Sequence, residues 1–298
     1  MPKVTALLGI ARAPFLILDV TLIASAAAAA AYDGRVYLLP TLLALVGLVA
    51  LHAAVNSLNE ASDMRTGIDL RTERTPFSGG SGTLPSGALH WRTARWFGLG
   101  AAAVGAVIGV WFLGRVGAVL LPILVLGAIC VLAYTEGLAR TGLGEIAAGL
   151  GLGALPVIGG VIVQEGRLGP AALAAAIPAF FMTFNLLLLN EFPDEQADRP
   201  GGRRNLVLML GRPVAAKVYA TAALATPLSI IVAVLTGVLP APALVGILPS
   251  LLLVKPLAWG LGRASDPVPV PALGANVAWN LGTNTLLALG VAVAVWLR

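Results

Sequence analysis

Cysteine and histidine are almost missing from this chain: one cysteine, Cys130, and two histidines, His52 and His90, in 298 residues. A single thiol excludes an intramolecular disulfide, and Cys130, set inside an apolar run, reads as a small buried apolar side chain. The two histidines are not spaced as metal ligands; His52 reads as a core or interfacial residue and His90 as a loop-end surface residue. Charge is scarce too. Only 11% of the residues are charged, against about a quarter in soluble domains, which excludes the soluble globular class.

Apolar sequence fills the space that charge leaves. Hydrophobic residues make up 58% of the chain and mean hydropathy is +0.91. A bilayer core about 30 Å thick takes about 20 apolar residues per helix. Runs of that length lie at 11–32, 36–58, 93–113, 117–138, 143–163, 170–190, 214–236, 239–259 and 274–297, nine in all. None alternates with period two, so helices are expected rather than a β-barrel. The first run is too long for a removable signal peptide and lacks the cleavage pattern. The seventh and eighth runs are divided only around "PAP". The expected fold is all-α: one transmembrane domain over 1–298 with nine helices.

Cations cluster beside cytoplasmic loops in such proteins. With the N-terminus inside, fifteen of the nineteen lysines and arginines fall on the cytoplasmic side and Arg35, Arg115, Arg167 and Arg298 on the other. The expected topology is therefore N-terminus in and C-terminus out. The pI near 9.9 fits an affinity for anionic headgroups or substrates, and nothing points to nucleic acid.

The acids are concentrated where the apolar runs stop. Eight of fourteen lie in two stretches, "NEASDMRTGIDLRTE" (Glu60, Asp63, Asp69, Glu73) and "NEFPDEQADRPGGRRN" (Glu191, Asp194, Glu195, Asp198). Both fall in the longest polar connections, about 59–92 and 190–213, and both are expected on the cytoplasmic side. Asn59 and Asp63 are four residues apart, and Asn190, Asp194 and Asp198 repeat that spacing, so each set shares one helix face. Oxygen ligands so placed suit a hard cation, and Mg²⁺ takes one or two carboxylates together with phosphate oxygens and water. Nearby arginines repel a bare cation but suit one that arrives with an anion. Arg65, Arg71 and Arg74 beside the first set, and Arg203 and Arg204 beside the second, are suited to phosphate oxygens. Gly79-Gly80-Ser81-Gly82 is either a further source of N–H groups for that anion or a plain turn.

Taken together these stretches resemble the UbiA superfamily of intramembrane prenyltransferases. "N-E-x-x-D-x-x-x-G-x-D", carried by Asn59, Glu60, Asp63, Gly67 and Asp69, is similar to its first aspartate-rich motif. Asp194 and Asp198, followed by Gly202, Arg203, Arg204, Asn205 and Leu206, resemble the second. Tyr134, Thr135, Gly144 and Glu145 in "AYTEGLARTGLGEI" are similar to a third region, and Arg12 and Pro14 in "RAPF" to the start of the first helix. Glu60 stands where Asp is usual, Arg203 where Lys is usual, and Asn205 where Thr is usual. The interval from Asp63 to Asp69 is more like the dihydroxynaphthoate branch of menaquinone synthesis than the hydroxybenzoate branch of ubiquinone synthesis.

The resemblance implies two Mg²⁺ ions held by Asn59, Asp63, Asp69, Asn190, Asp194 and Asp198, bridging to the diphosphate of a polyprenyl donor. It implies catalytic roles for Asp63, Asp69, Asp194, Asp198 and Tyr134, and diphosphate contacts from Asn59, Arg65, Arg71, Arg74, Arg140, Arg203 and Arg204. The implied reaction ionises the allylic C–O bond and joins the prenyl group to a small aromatic acceptor, a quinone precursor such as 1,4-dihydroxy-2-naphthoate, with membrane lipid around the cavity. A lipid or other non-quinone acceptor, a terpene cyclase, and a secondary transporter of anionic solutes are the competing readings.

Other polar residues stand out against the apolar background. Asp19 is an acid inside the first run, where acids are costly and face a cavity or a partner; with Arg12 it is a candidate acceptor contact. Tyr134 is either an interfacial anchor or a cavity residue facing the allylic cation. Glu145 is either a helix N-terminal acid or a support of the cavity. Asn185 lies inside a span, and Asn276, Asn280 and Asn284 recur on one helix face, either lining the cavity or joining helices.

Overall fold

The computed structural model describes residues 3–298, and among them there is no strand. A short helix α1 (Lys3–Ile10) leads through a 3-10 turn, Ala13–Leu16, into α2 (Ile17–Asp33). Helices α3 (Leu38–Thr66) and α4 (Trp91–Val116) pack along each other. Next come α5 (Leu121–Leu132), a π turn at Tyr134–Leu138 and α6 (Ala139–Thr141). Helices α7 (Gly144–Gly149) and α8 (Leu155–Glu165) are joined by a π turn at Leu150–Ala154. The second half holds α9 (Pro170–Gly201), the short α10 (Leu206–Leu210) and α11 (Arg212–Leu235). A 3-10 helix, Ala241–Leu253, then runs into α12 (Val254–Gly262), and α13 (Val270–Trp296) follows.

Among the described residues, eight helices are long and apolar enough to cross a membrane, or nine when a bent pair is counted as one span. That pair corrects one expectation. The run 117–138 is not straight: Ala118–Leu132 and Tyr134–Thr141 meet at 63°. Thr135, Glu136 and Gly137 sit at the break, two polar residues and a weak helix former, and the backbone takes a π turn there. The eighth run is wound mostly as a 3-10 helix, with Pro242 and Pro249 removing amide donors.

A second correction concerns the polar stretches. Residues 59–66 and 190–201 are helix, not loop: α3 and α9 continue past their apolar runs and carry the acids outward. Both stop the same way, at Gly67 and Gly202, each with φ of +79°, the left-handed conformation that closes a helix without a Cβ penalty. The α-helical period therefore persists through residues 59–66 and 190–201 and fixes which of their side chains share a face, while Asp69 and Glu73 lie in the turn beyond α3.

Helices α2, α8, α9 and α13 form the centre through small side chains, among them Ala26, Ala29, Ala171, Ala175 and Ala179. Close approach sustains packing where no hydrophobic drive separates helix from lipid. At Gly153 a methyl group would lie 2.5 Å from the Ala179 carbonyl oxygen. Large apolar side chains such as Val107, Leu228, Leu235 and Leu251 face outward, as a lipid-bathed surface requires. Between α3, α4, α5 and α8 runs an apolar groove floored by Gly47, Gly105, Gly109 and Gly159. It reaches the exposed Val110 and Leu132 on the outside.

Candidate active site

The ends of α3 and α9 face each other across a polar hollow of about 700 Å³ including its mouth, lined by Asn59, Asp63, Asp69, Asn190, Glu191, Asp194 and Asp198. The same hollow takes Arg12, Tyr134, Arg203 and Arg204. The two acidic stretches, about 130 residues apart in sequence by their numbering, are thus brought to one site. Arg203 joins them. It follows the end of α9, yet its Nη2 donates to Asn59 Oδ1 at 2.7 Å and to a carboxylate oxygen of Asp63. Asn59 Nδ2 in turn donates to the other Asp63 oxygen at 2.8 Å. Burial opposes the Arg203 charge, but Asp63 and the other acidic groups around it together outweigh burial and hold the guanidinium firmly protonated.

Other oxygens at the site have no protein donor. Asp69 Oδ2, Glu191 Oε2 and Asp194 Oδ1 are buried and unpartnered, an arrangement that costs free energy unless a cation or donor arrives from outside. Burial, reinforced by the neighbouring Glu60 and Asp63 carboxylates, pushes the Asp69 pKa up to about 7. Among the described residues no three His, Cys, Asp or Glu side chains converge on a single point. An ion held here takes one or two carboxylates and completes its shell with phosphate or water oxygens, which is the habit of Mg²⁺. The residues fit such an ion.

A second hollow continues inward from the first. It is mainly apolar, about 1310 Å³ including its mouth, and contains Leu18, Leu48, Leu51, Val55, Leu152 and Leu186 in its walls. The two share Arg12, Asn59, Phe77, Tyr134, Leu187 and Asn190. Leu51, Gly127 and Val131 line the outer groove as well, so the inner hollow and the lipid-facing groove share a wall. The bend at Ala133 places Tyr134 at the junction. Arg12 reaches it from a left-handed backbone, φ +51°, rare for a residue with a side chain. Its Nε donates to Glu60 Oε1 at 3.2 Å.

The loop after α3 is tied down by Glu60. One oxygen accepts the Ser81 N–H at 2.6 Å and the other its hydroxyl at 2.7 Å. The Ser81 amide in the glycine-rich stretch is therefore used inside the protein, while Gly79 and Gly80 line the hollow. Asn205 caps α10 by accepting from Leu208 N–H and donates to Asp198 Oδ2 at 2.9 Å. Glu145 accepts the Leu206 N–H at 2.6 Å, so it supports the site by tying α7 to α10 as well as lying in the first turn of α7.

Several arginines lie elsewhere. Arg65 is two residues beyond Asp63, about 200° around the helix, and is paired with Glu136 at 2.6 Å. Arg71 is exposed in the turn after α3. Arg74 donates to the Asp69 carbonyl at 2.6 Å and braces that turn. Arg140 donates to the Gly201 carbonyl at 3.2 Å and stands 3.5 Å from Glu136. None of the four lines the polar hollow, so of the arginines expected at the anion only Arg203 and Arg204 do.

Asp19 is fully buried, and His52 Nδ1 is 2.9 Å from its Oδ1. His52 lines the inner hollow; Asp19 does not. Asn185 and Asn276 join α9, α11 and α13 through Tyr219 and backbone carbonyls. Asn284 donates to Asn280, and of the asparagine stripe only Asn280 reaches the hollow. Cys130 is a buried free thiol on its wall, and His90 caps α4.

Sequence reasoning gave no site role to Glu191, which it counted only among the clustered acids, to His52, which it read as core or interfacial, or to Phe77. Glu191 repeats the Asn-Glu pair of residues 59 and 60, the signal that would have found it. Phe77 carries no local signal.

Comparison with known proteins agrees with this architecture. The UbiA prenyltransferase family model matches residues 20–281. The chain is 24% identical over 213 residues to the 1,4-dihydroxy-2-naphthoate octaprenyltransferase of Bacillus subtilis, covering 68% of this chain and 65% of the relative. It is 30% identical over 183 residues to the protein of the same name from Escherichia coli, covering 58% of each. The matched segment thus spans less than two thirds of either relative. A UbiA homolog from Archaeoglobus fulgidus, solved bound to DMAPP and Mg²⁺, superposes with a TM-score of 0.62 at 16% identity, covering 96% of this chain and 99% of that one.

Proposed function

This chain belongs to the UbiA prenyltransferase family, and from that premise we propose that it moves an isoprenyl group from a polyprenyl diphosphate to a small aromatic quinone precursor such as 1,4-dihydroxy-2-naphthoate. One observation carries the reading: a polar hollow lined by both acidic stretches adjoins an apolar one, the two meeting at Arg12, Asn59, Tyr134 and Asn190, and the apolar one shares a wall with the outer groove. A molecule with a dianionic head and a long hydrocarbon tail matches that pair. The names of the two curated relatives support the aromatic acceptor.

Asn59, Asp63, Asp69, Asn190, Asp194 and Asp198 are the residues that would hold two Mg²⁺ ions. When bound, those ions supply positive charge that neutralises the departing diphosphate. Arg203 and Arg204 bind phosphate oxygens from the protein side, and Arg203 is already aligned by Asn59 and Asp63. Tyr134, at the junction, presents an aromatic ring to the allylic carbon as positive charge develops. The apolar walls behind it exclude water that would capture that cation. The excess of cations on the motif side of the expected topology, fifteen of nineteen, supports a cytoplasmic motif end.

Purified protein in lipid nanodiscs, given geranyl diphosphate and 1,4-dihydroxy-2-naphthoate, should form prenylated product by mass spectrometry only when Mg²⁺ is present. Absence of product with this and other phenolic acceptors would overturn the reading.

A further inference from the structure

The inner hollow contains a pair of groups that donor binding does not use. Asp19 on α2 is fully buried, one of its oxygens meets His52 Nδ1 at 2.9 Å, and the other has no partner. A carboxylate inside a span is expensive and marks a function. With Asp19 on Nδ1, the imidazole carries its proton there and turns the Nε2 lone pair to the other side of the ring. His52 itself lines the hollow.

Its position on α3 fits an acceptor. His52, Asn56, Asn59 and Asp63 follow one another at intervals of four, three and four residues, one stripe along the helix, and the first three line the same apolar hollow. Seven residues separate His52 from Asn59, about 10 Å at 1.5 Å per residue. A diphosphate at Asn59 and Asp63 puts the allylic carbon just inward of them, leaving room for one aromatic bicycle before His52. The other titratable side chains lining this hollow are Arg12, Cys130 and Tyr134. Arginine stays protonated, and a thiol or phenol is a weaker base in its neutral form. Of these side-chain types imidazole is the usual general base.

We infer that His52, oriented by Asp19, is the base that takes the hydroxyl proton of a phenolic acceptor. This rests on the prenyl-transfer reading above. The O–H bond breaks with its proton going to Nε2, and the ring carbon ortho to that oxygen that carries a hydrogen forms a C–C bond to the allylic carbon. The C–O bond to diphosphate breaks, its electron pair leaving with the diphosphate. The neutral dienone so formed returns to a phenol by moving the ring hydrogen from carbon to oxygen. The proton on His52 is the one released overall, and the Asp19 carboxylate stabilises the imidazolium that carries it. His52 is then a catalytic residue and Asp19 a positioning one.

The test compares wild type with His52→Asn, which can keep an N–H toward Asp19 but lacks Nε2, and with Asp19→Asn. Product formation from geranyl diphosphate, Mg²⁺ and 1,4-dihydroxy-2-naphthoate is measured beside binding of a non-hydrolysable geranyl diphosphate analogue. His52→Asn should lose at least about a hundredfold in product rate with analogue affinity within twofold of wild type. Fluorinated naphthols of lower pKa should recover much of that loss, because they need less help to ionise. A product rate within threefold of wild type, or a loss that acceptor acidity does not change, overturns the inference. So does intact turnover in Asp19→Asn. A wild-type protein that binds the analogue but prenylates no phenol overturns the parent reading instead.

Discussion

The two acid-bearing helix ends share a spacing and a stop signal, but they are wired differently. At the end of α3 both oxygens of Glu60 and both of Asp63 already have donors within the protein. At the end of α9, Asp194 Oδ1 and Glu191 Oε2 are buried with none, and only Asp198 has an asparagine partner. The first end is braced by the fold itself. The second is left waiting for positive charge from outside, so removing an acid should have different consequences on the two sides.

Substitution of the central acids is the strongest way to break that contrast. Asp63→Ala and Asp194→Ala should each cut prenyl transfer by at least about a thousandfold, since both remove charge that faces the leaving group. Only Asp63→Ala should also destabilise the protein, by about 3 kcal/mol, because it strands the buried Arg203 guanidinium. Thermal melting in nanodiscs separates the two; equal melting temperatures would mean that the ion pair does not brace α3. Arg203→Gln comes next. It should weaken binding of a diphosphate analogue by about 1.5–3 kcal/mol, the scale of a charged hydrogen bond, as calorimetry would read.

Proton linkage gives a smaller effect. Asp69 has a pKa raised to about 7 by burial and by Glu60 and Asp63, so below that pH it is protonated and closed to a cation. Mg²⁺ binding must release that proton. Affinity should therefore rise about tenfold from pH 6 to pH 8, and the rise should flatten in Asp69→Asn. The two stop glycines offer the finest comparison. Gly67→Ala adds a methyl group into open space and should cost only the left-handed strain, about 1 kcal/mol. At Gly202 the same methyl would stand 2.8 Å from Arg140 Nη1. Gly202→Ala should therefore cost more and loosen the Arg140 contact to Gly201.

Much of this organisation was legible because helical geometry propagates along a chain. Runs of about 20 apolar residues announce the spans, and the spacing of Asn59 with Asp63 and of Asn190 with Asp194 places each set on one face wherever the helix points. The same geometry explains what was misplaced. Arg65 is near Asp63 in sequence but far around the helix, and the arginine that meets Asp63 is Arg203, 140 residues away. Pairings such as Glu60 with Ser81 or Asp19 with His52 depend on how helices and loops pack, and no local pattern encodes them. Even so, Asp19 and His52 were each visible as rare polar residues inside apolar runs. The break at Ala133 left only a hint in the polar triplet that follows it.

The glycine-floored groove between α3, α4, α5 and α8 has a kinetic consequence. On the prenyl-transfer reading, a donor that enters by this groove arrives by two-dimensional diffusion, so its supply follows the mole fraction of isoprenoid among the surrounding lipids. On that reading, adding carrier lipid at constant total donor should lower the rate of prenyl transfer, and detergent tails that fill the groove should compete with the donor.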